Sequence, residues 1–201
     1  MTSPGRVNRS LLCTFALILS LGVVACSTVV VAPYEPPAAE YALAPGPKGP
    51  FTELENHFHA SYGANVSAFR LLDSNEDALL WRLALIDSAQ YAIDLQYYLW
   101  YGDLAGQLLA SRILDAADRG VKVRLMVDDL NTLLRDASSV LLRDEVAAWL
   151  DSHPNVEFRL FNPWTQRDFG GRVGEGMANF ERTNVRMHNK SLIVDNRAVI
   201  I

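Results

Sequence analysis

Cysteine is scarce in this sequence, and positive charge is not in excess. Of the two cysteines among 201 residues, Cys13 lies inside an apolar run near the N-terminus. If that run is removed on export, Cys26 has no partner, so a disulfide within the mature chain is excluded. The formal net charge of −5 at pH 7 does not favour broad adhesion to nucleic acid or to anionic lipid headgroups.

The sequence also lacks an apolar run long enough to span a membrane comfortably as a mature helix. Residues 11–24 are nearly all apolar, whereas a spanning helix needs about 20 residues. Arg6 and Arg9 precede this run and Ala25 follows it, which is the pattern of a secretory signal. We predict a signal peptide over residues 1–25, whose removal changes the net charge from −5 to −7 because it takes away two arginines and no acid.

Residues 23–26, Val-Val-Ala-Cys, resemble a bacterial lipobox, whose cysteine is acylated and becomes the first residue of a lipoprotein. An ordinary export signal with an incidental cysteine is the alternative. Acyl chains on Cys26 would anchor the protein firmly, since each buried methylene contributes about 0.8 kcal/mol. Ser27 stands where an aspartate usually marks retention in the inner membrane. The resemblance therefore implies a lipid-anchored protein of the bacterial cell envelope, at the outer membrane and facing the periplasm.

Proline is concentrated directly after this cysteine. Residues 27–50 hold six of the nine prolines and only three charged residues, a composition that cannot bury enough surface to fold. We predict a lipidated cysteine and semi-rigid tether over residues 26–50, followed by a first folded domain over residues 51–201. Because the last strand has no cap or polar tail, we expect this domain to be incomplete at its C-terminus.

Beyond the tether, amphipathic helical stretches alternate with short apolar strands. This order predicts an α/β fold in which helices cover both faces of a sheet. Four glycines lie between residues 170 and 176, and residues 163–186 are predicted to form a surface loop, with an active-site lid as the alternative. The predicted helices are residues 52–63 (opened by a capping box at 52–55), 73–89, 104–119 and 141–152, and the predicted strands are residues 67–72, 91–100, 121–127, 156–161, 186–194 and 198–201.

One short motif carries chemistry, since His188, Lys190 and Asp195 form the pattern His-x-Lys-x4-Asp. On a strand, residues two apart project from the same face, about 7 Å apart. Histidine titrates near neutrality and can act as a nucleophile or acid/base, whereas lysine is a fixed cation. Placing both on a buried strand costs free energy unless an anion arrives, and phosphate is the natural partner. The alternative is a core histidine, a lysine whose ammonium reaches solvent and an aspartate in a turn.

Three stretches of the chain, residues 93–100, 116–125 and 186–195, resemble the phospholipase D superfamily. Within it, they resemble the bacterial cardiolipin synthases of the lipoprotein-like type. The resemblance covers residues 51–201 and implies a phospholipase D-like sandwich, a mixed β-sheet flanked by helices on both faces. It also implies that this chain is the N-terminal half of a two-motif enzyme.

The resemblance implies a role for each residue of the motif. His188 would attack phosphorus and become phosphorylated, Lys190 would bind the non-bridging oxygens, and Asp195 would support the local hydrogen-bond framework. Superfamily enzymes work without a metal or other cofactor. They need a second copy of the motif, whose histidine protonates the leaving alcohol. No other histidine of this sequence is followed by a lysine two residues later, so the second copy is expected in the remainder of the full-length chain.

The function implied is a phosphatidyltransferase that forms cardiolipin from phospholipid substrates, plausibly phosphatidylglycerol, while held at the membrane by its lipid anchor and without a nucleic-acid partner. A phospholipase D hydrolase and an exported homodimeric nuclease of the same superfamily are alternatives. A non-catalytic envelope lipoprotein that retains the fold for binding is a further alternative.

Four more polar residues are candidates for a substrate pocket. Gln96 and Tyr98 lie with Asp94 on the polar face of a strand that should be central, where a structural row of hydrogen bonds is the alternative. Asp128 follows a buried strand, at the kind of position where α/β sheets often bind ligands, although a helix-capping acid is the alternative. Arg186 contributes to a local excess of positive charge around the motif.

Overall fold

The computed structural model of the protein describes residues 41–129, 145–166 and 168–201. The predicted signal peptide, the lipidated Cys26 and most of the predicted tether lie outside the described residues. Residues Ala42–Ile201 form one compact unit. Within the described ranges, no helix is both long enough and apolar enough to cross a bilayer.

Five strands of the described chain form one mixed sheet in the order β3-β2-β1-β4-β5. Strands β1, β2 and β3 are parallel to one another, and β4 is antiparallel to both β1 and β5. This arrangement confirms the predicted mixed sheet of an α/β fold. The strands are β1 Ala92–Tyr97, β2 Lys122–Asp128, β3 Val156–Phe161, β4 Lys190–Val194 and β5 Ala198–Ile200.

Helices flank this sheet, and local capping sets where two of them begin. The Ser74 side chain accepts a hydrogen bond from Asp77 N–H at the start of α2, and Asp103 accepts one from Gly106 N–H at the start of α3. The helices are α1 Pro50–Tyr62, α2 Asn75–Ser88, α3 Leu104–Asp118, α4 Phe169–Ala178 and α5 Phe180–Thr183, and residues 145–151 are also helical.

The core lies between one face of the sheet and helices α2 and α3. Pairing of β1 with β4 places Ile93 opposite Val194 and Leu95 opposite Leu192, and all four side chains are buried. They form one apolar cluster with helix residues such as Ile113. Burying this surface supplies about 25 cal/mol per Å² of apolar area removed from water, and it fixes the register of β4 against β1.

Two sequence predictions in the first part of the domain are wrong. Residues 67–72 form no strand, and Phe69 and Leu71 are exposed, so their apolar side chains have no sheet to pack against. Helix α1 begins at Pro50 after Gly49 rather than at a capping box, and the Thr52 hydroxyl donates to the carbonyl of Gly46 instead. Proline suits the first turn of a helix because it lacks the N–H that would be left unpaired there.

The predicted glycine-rich surface loop is also wrong, because most of it folds into α4 and α5. Asp168 caps α4 by accepting a hydrogen bond from Gly171 N–H. The buried Glu175 carboxylate accepts from Thr165 N–H at 3.0 Å and pairs with Arg182. These tertiary contacts hold the helix despite glycine's low helix propensity.

The last residues of the predicted tether contact the folded domain. Gly46 N–H donates to the Asp195 carbonyl at 3.1 Å, and Arg197 Nε donates to the Gly46 carbonyl at 3.0 Å. A Cβ at residue 46 would lie 2.4 Å from the ring of Tyr91, so only glycine fits this approach. Ordered contact with the domain therefore begins at least four residues before α1.

Candidate active site

The catalytic motif predicted from the sequence begins just before β4. Lys190 is the first residue of that strand and pairs with Tyr97, while the Asn189 carbonyl accepts a hydrogen bond from Tyr98 N–H at 3.0 Å. Because β1 ends at Tyr97, these pairings place His188 and Lys190 at the carboxyl end of β1.

The ring of Tyr98 brings the side chains of His188 and Lys190 together. The two ring centroids of Tyr98 and His188 are 4.3 Å apart, and Lys190 Nζ lies 5.3 Å from the Tyr98 centroid. Lys190 Nζ also donates to the carbonyl of His188 at 2.8 Å. Both side chains are exposed. An imidazole and an ammonium thus share one solvent-accessible position. The predicted buried strand over residues 186–194 is wrong at its start, because β4 begins only at Lys190 and both side chains are exposed.

Gln96, a candidate pocket residue, contacts the motif through its neighbour. The Gln96 side-chain oxygen accepts a hydrogen bond of 2.6 Å from Asn189 Nδ2. Asn189 lies between the imidazole and the ammonium in sequence. Gln96 and Tyr98 therefore both contact the same short segment, one through an amide and one through an aromatic ring.

Asp195 lies at the other end of β4, in the turn that leads to β5. Its buried carboxylate accepts hydrogen bonds from the backbone N–H groups of Gln90, Tyr91 and Ala92, at 2.7 to 3.2 Å. Asp195 follows Lys190 by five positions, which corresponds to roughly 17 Å along a strand. Its contacts are with the backbone of the fold, and its part in the reaction stays a prediction.

Asp128 and Arg186 contact each other rather than open solvent. Arg186 Nη1 donates to Asp128 Oδ1 at 3.2 Å, and the exposed fractions of the two side chains are 7% and 0%. Asp128 Oδ2 also accepts from Met187 N–H at 2.8 Å. The structure thus brings these two pocket candidates to the backbone that precedes His188.

Trp164 and Asp129 complete this buried cluster, and the sequence analysis did not assign Trp164 to the site. The guanidinium of Arg186 lies 5.2 Å from the Trp164 ring centroid. Trp164 N–H donates to Asp129 Oδ2 at 3.1 Å, and its indole Nε1 donates to the Asp129 carbonyl at 2.9 Å. The Asp-Asp pair at the end of β2 was visible in the sequence, but nothing local marks Trp164 as its partner.

The charged side chains around the site are of two kinds. Some are paired with another protein side chain, and those of the motif are exposed to solvent. Asp94 and Arg124 form an ion pair of 2.5 Å on the polar face of β1 and β2, with both side chains about one quarter exposed. Among the described residues, no group of three or more His, Cys, Asp or Glu side chains is placed to hold a metal ion. The exposed imidazole and ammonium are therefore the groups best placed to meet an anion.

Among solved structures, this chain is similar to two that are named as follows. NucT from Helicobacter pylori has a TM-score of 0.41 and 22% sequence identity, covering 66% of this chain and 69% of that chain. Nuc from Salmonella typhimurium, a phospholipase D family member, has a TM-score of 0.37 and 21% identity, covering 59% of this chain and 58% of that chain.

Curated relatives are more similar in sequence. An uncharacterized protein of Helicobacter pylori strain 26695 is 47% identical over 137 residues, which are 68% of this chain and 26% of the relative. Cardiolipin synthase C of Escherichia coli K12 is 42% identical over 130 residues, 65% of this chain and 25% of the relative. Cardiolipin synthase B of the same strain is 31% identical over 134 residues, 66% of this chain and 28% of the relative. The chain thus spans about a quarter of the length of these relatives.

The match to a protein family covers more than half of the chain and includes the whole motif. Residues 83–201 match the family described as cardiolipin synthase, PLD-like domain, where PLD stands for phospholipase D. This match confirms the resemblance seen in the sequence, and the chain belongs to that family.

Proposed function

We propose that this chain is the first part of a phospholipase D-type phosphatidyltransferase that forms cardiolipin through a phosphohistidine at His188. The observation that carries the proposal is the pairing of an exposed imidazole and an exposed ammonium beside one ring, that of Tyr98. The 42% identity to a cardiolipin synthase supports the choice of reaction.

In the first step, an unprotonated nitrogen of His188 attacks the phosphorus of a phosphatidyl donor. A nitrogen–phosphorus bond forms, the bond from phosphorus to the headgroup oxygen breaks, and the headgroup alcohol leaves with a proton from a general acid. Lys190 stabilises the charge on the non-bridging oxygens as the transition state forms. Its ammonium is mobile enough to do so, because its present acceptor is an exposed backbone carbonyl.

In the second step, the hydroxyl of an acceptor lipid attacks the same phosphorus. A new oxygen–phosphorus bond forms, the nitrogen–phosphorus bond breaks, and the hydroxyl proton returns to the group that acted as the acid. With phosphatidylglycerol as donor and acceptor, the products are cardiolipin and glycerol. With water as acceptor, the product is phosphatidic acid and the reaction is hydrolysis.

The general acid comes from a second copy of the motif in the remainder of the full-length protein. The curated relatives are about four times as long as the matched segment, which leaves room for it. In the same proposal, a lipidated Cys26 and its proline-rich tether hold the enzyme at the outer membrane, facing the periplasm.

A quenched-flow experiment tests this function. Full-length protein is mixed with vesicles containing phosphatidylglycerol labelled in its phosphate, quenched in base during turnover, and digested to locate the label. We expect an acid-labile label on the peptide containing His188, labelled cardiolipin as product, and neither in the His188→Ala variant. Turnover without a phosphohistidine, or cleavage of a DNA oligonucleotide in place of lipid transfer, would contradict the proposal.

A further inference from the structure

We propose that Asp128 is a positioning residue for His188, because Asp128 holds the stretch of backbone that directly precedes the imidazole. In this proposal, neither Asp128 nor Arg186 binds substrate. This inference rests on the proposed role of His188 as the nucleophile. It concerns how one buried carboxylate at the end of β2 sets the position of a side chain two residues before β4.

His188 needs such support because it lies outside the ladder of the sheet. Strand β4 begins two residues later, at Lys190, and the carbonyl of Asn189 makes the last bond to β1. On the other side, α5 ends at Thr183. The backbone of His188 therefore depends on contacts that regular secondary structure does not supply.

Asp128 supplies the nearest of these contacts on the N-terminal side. Its Oδ2 accepts from Met187 N–H at 2.8 Å, and its Oδ1 accepts from Arg186 Nη1 at 3.2 Å. One carboxylate thus holds the two residues that directly precede His188. Since β1 lies between β2 and β4 in the sheet, Asp128 ties β2 to the motif across the end of the intervening strand.

The surroundings of Arg186 make the contact rigid. Asp128 is 1% exposed, and its charge is balanced by the guanidinium, which lies against the Trp164 ring. Trp164 in turn donates two hydrogen bonds to Asp129, the next residue of the chain. Removing one partner of a buried charge pair leaves the other uncompensated, so this cluster resists displacement.

This geometry predicts a distinct kinetic effect. The Asp128 side chain is fully buried, so its loss should not change ground-state binding of substrate directly. A displacement of about 1 Å at a nucleophile, however, can cost about 10²-fold in rate. Loss of the Asp128 contacts should therefore lower kcat and leave KM nearly unchanged.

The test compares Asp128→Asn with Asp87→Asn in the full-length protein. Asp87 is a matched control because its carboxylate makes an ion pair with Arg112 in which both side chains are exposed. For Asp128→Asn we expect kcat and the rate of phosphohistidine formation to fall about 10- to 100-fold, with KM within about twofold of the wild type. Unchanged kcat, a raised KM, or a loss of activity that merely follows the folded fraction would overturn the proposal.

A double variant covers the case in which Asp128→Asn does not fold. Asp128→Asn with Arg186→Gln removes both buried charges and keeps an oxygen that can accept from Met187 N–H. We expect the KM of the double variant to stay near the wild-type value. Its kcat should be at least as high as that of Asp128→Asn or Arg186→Gln alone, wherever these single variants fold. A tenfold higher KM would mean that Arg186 binds substrate, and the proposal would be wrong.

Amide hydrogen exchange separates this inference from the proposed function. In Asp128→Ala, which removes the acceptor of Met187 N–H, exchange at that N–H should become at least tenfold faster while the amides of β1 keep their protection. If the wild type forms no phosphohistidine, the proposed function fails, but the exchange result still decides whether Asp128 holds this segment. Unchanged exchange at Met187 would overturn the inference even in an active enzyme.

Discussion

The Asp195 carboxylate accepts a hydrogen bond of 2.7 Å from the backbone N–H of Tyr91, so the last residue of the motif fixes the start of β1. His188, at the other end of the motif, lies beside Tyr98 just past the end of the same strand. One motif therefore secures both ends of β1, through an anion at one end and an aromatic contact at the other. This division separates the effects expected from substitutions along the motif.

Asp195→Ala should lower the free energy of unfolding. Its carboxylate accepts four described hydrogen-bond contacts from three consecutive N–H groups, and such bonds to a charged acceptor predict a loss of about 2–4 kcal/mol. Urea denaturation followed by tryptophan fluorescence measures it. Asp73→Ala, at an exposed position, is the control. An Asp195→Ala protein of wild-type stability but without phosphohistidine would show a direct catalytic role instead.

Tyr98→Ala should slow phosphohistidine formation, whereas Tyr98→Phe should not. The ring of Tyr98 supports the imidazole of His188 at 4.3 Å, and loss of that support predicts a decrease of about tenfold or more. Phenylalanine keeps the ring, so its rate should stay within about threefold of the wild type. Tyr62→Ala, which changes an exposed tyrosine on α1, is the control. Equal losses in the Phe and Ala variants would assign the role to the hydroxyl group.

Lys190→Ala should reduce the transfer rate by about 10²- to 10³-fold, because a preorganised cation at the developing phosphoryl charge is removed. Binding of neutral lipid should change little. Lys190→Arg should recover only part of the rate, since a planar guanidinium does not replace a compact ammonium. Lys122→Ala is the matched control, because Lys122 bonds Asn155 at the surface. A Lys190→Ala enzyme with normal single-turnover rates would remove this lysine from the mechanism.

Two glycine substitutions should change stability in opposite directions. Gly46→Ala places a methyl group against the Tyr91 ring, and overpacking of this kind costs about 1–3 kcal/mol. Gly174→Ala lies on α4 with no heavy atom within 4 Å of the added Cβ, so it should stabilise the helix by about 0.5–1 kcal/mol. Thermal melts of the two variants give the comparison. A stabilising Gly46→Ala would show that residue 46 does not pack against the domain in solution.

Signals carried by neighbouring residues were sufficient to predict much of the fold. Strand β3 has the predicted bounds Val156–Phe161, because an alternation of apolar and charged residues after a proline needs no distant information. Helix α3 begins at Leu104, after a capping aspartate, and the chain leaves it at Gly120 with φ 93°. The His-x-Lys spacing also predicted that the two side chains lie close together, although they meet beside the Tyr98 ring and not along one strand, since β4 begins at Lys190.

The features missed by the sequence analysis depend on distant contacts. Helix α4 contains glycines that disfavour a helix, and it is held by Glu175 through contacts to a preceding loop and to α5. The bond between Arg186 and Asp128 joins residues 58 positions apart. This bond forms only with a strand order that brings the end of β2 and the start of β4 to the same end of the sheet. No local pattern in the sequence specifies that order.

The contact of Gly46 with Asp195 also sets the point at which the predicted tether would leave the domain. That contact lies at the end of β4 away from His188, so the chain that precedes Gly46 joins the domain at the end opposite the reactive groups. Extended at about 3.1 Å per residue, residues 27–45 reach roughly 59 Å, which is several times the length of β4. If Cys26 carries the proposed lipid anchor, this length would be enough for the imidazole to reach the lipid headgroups.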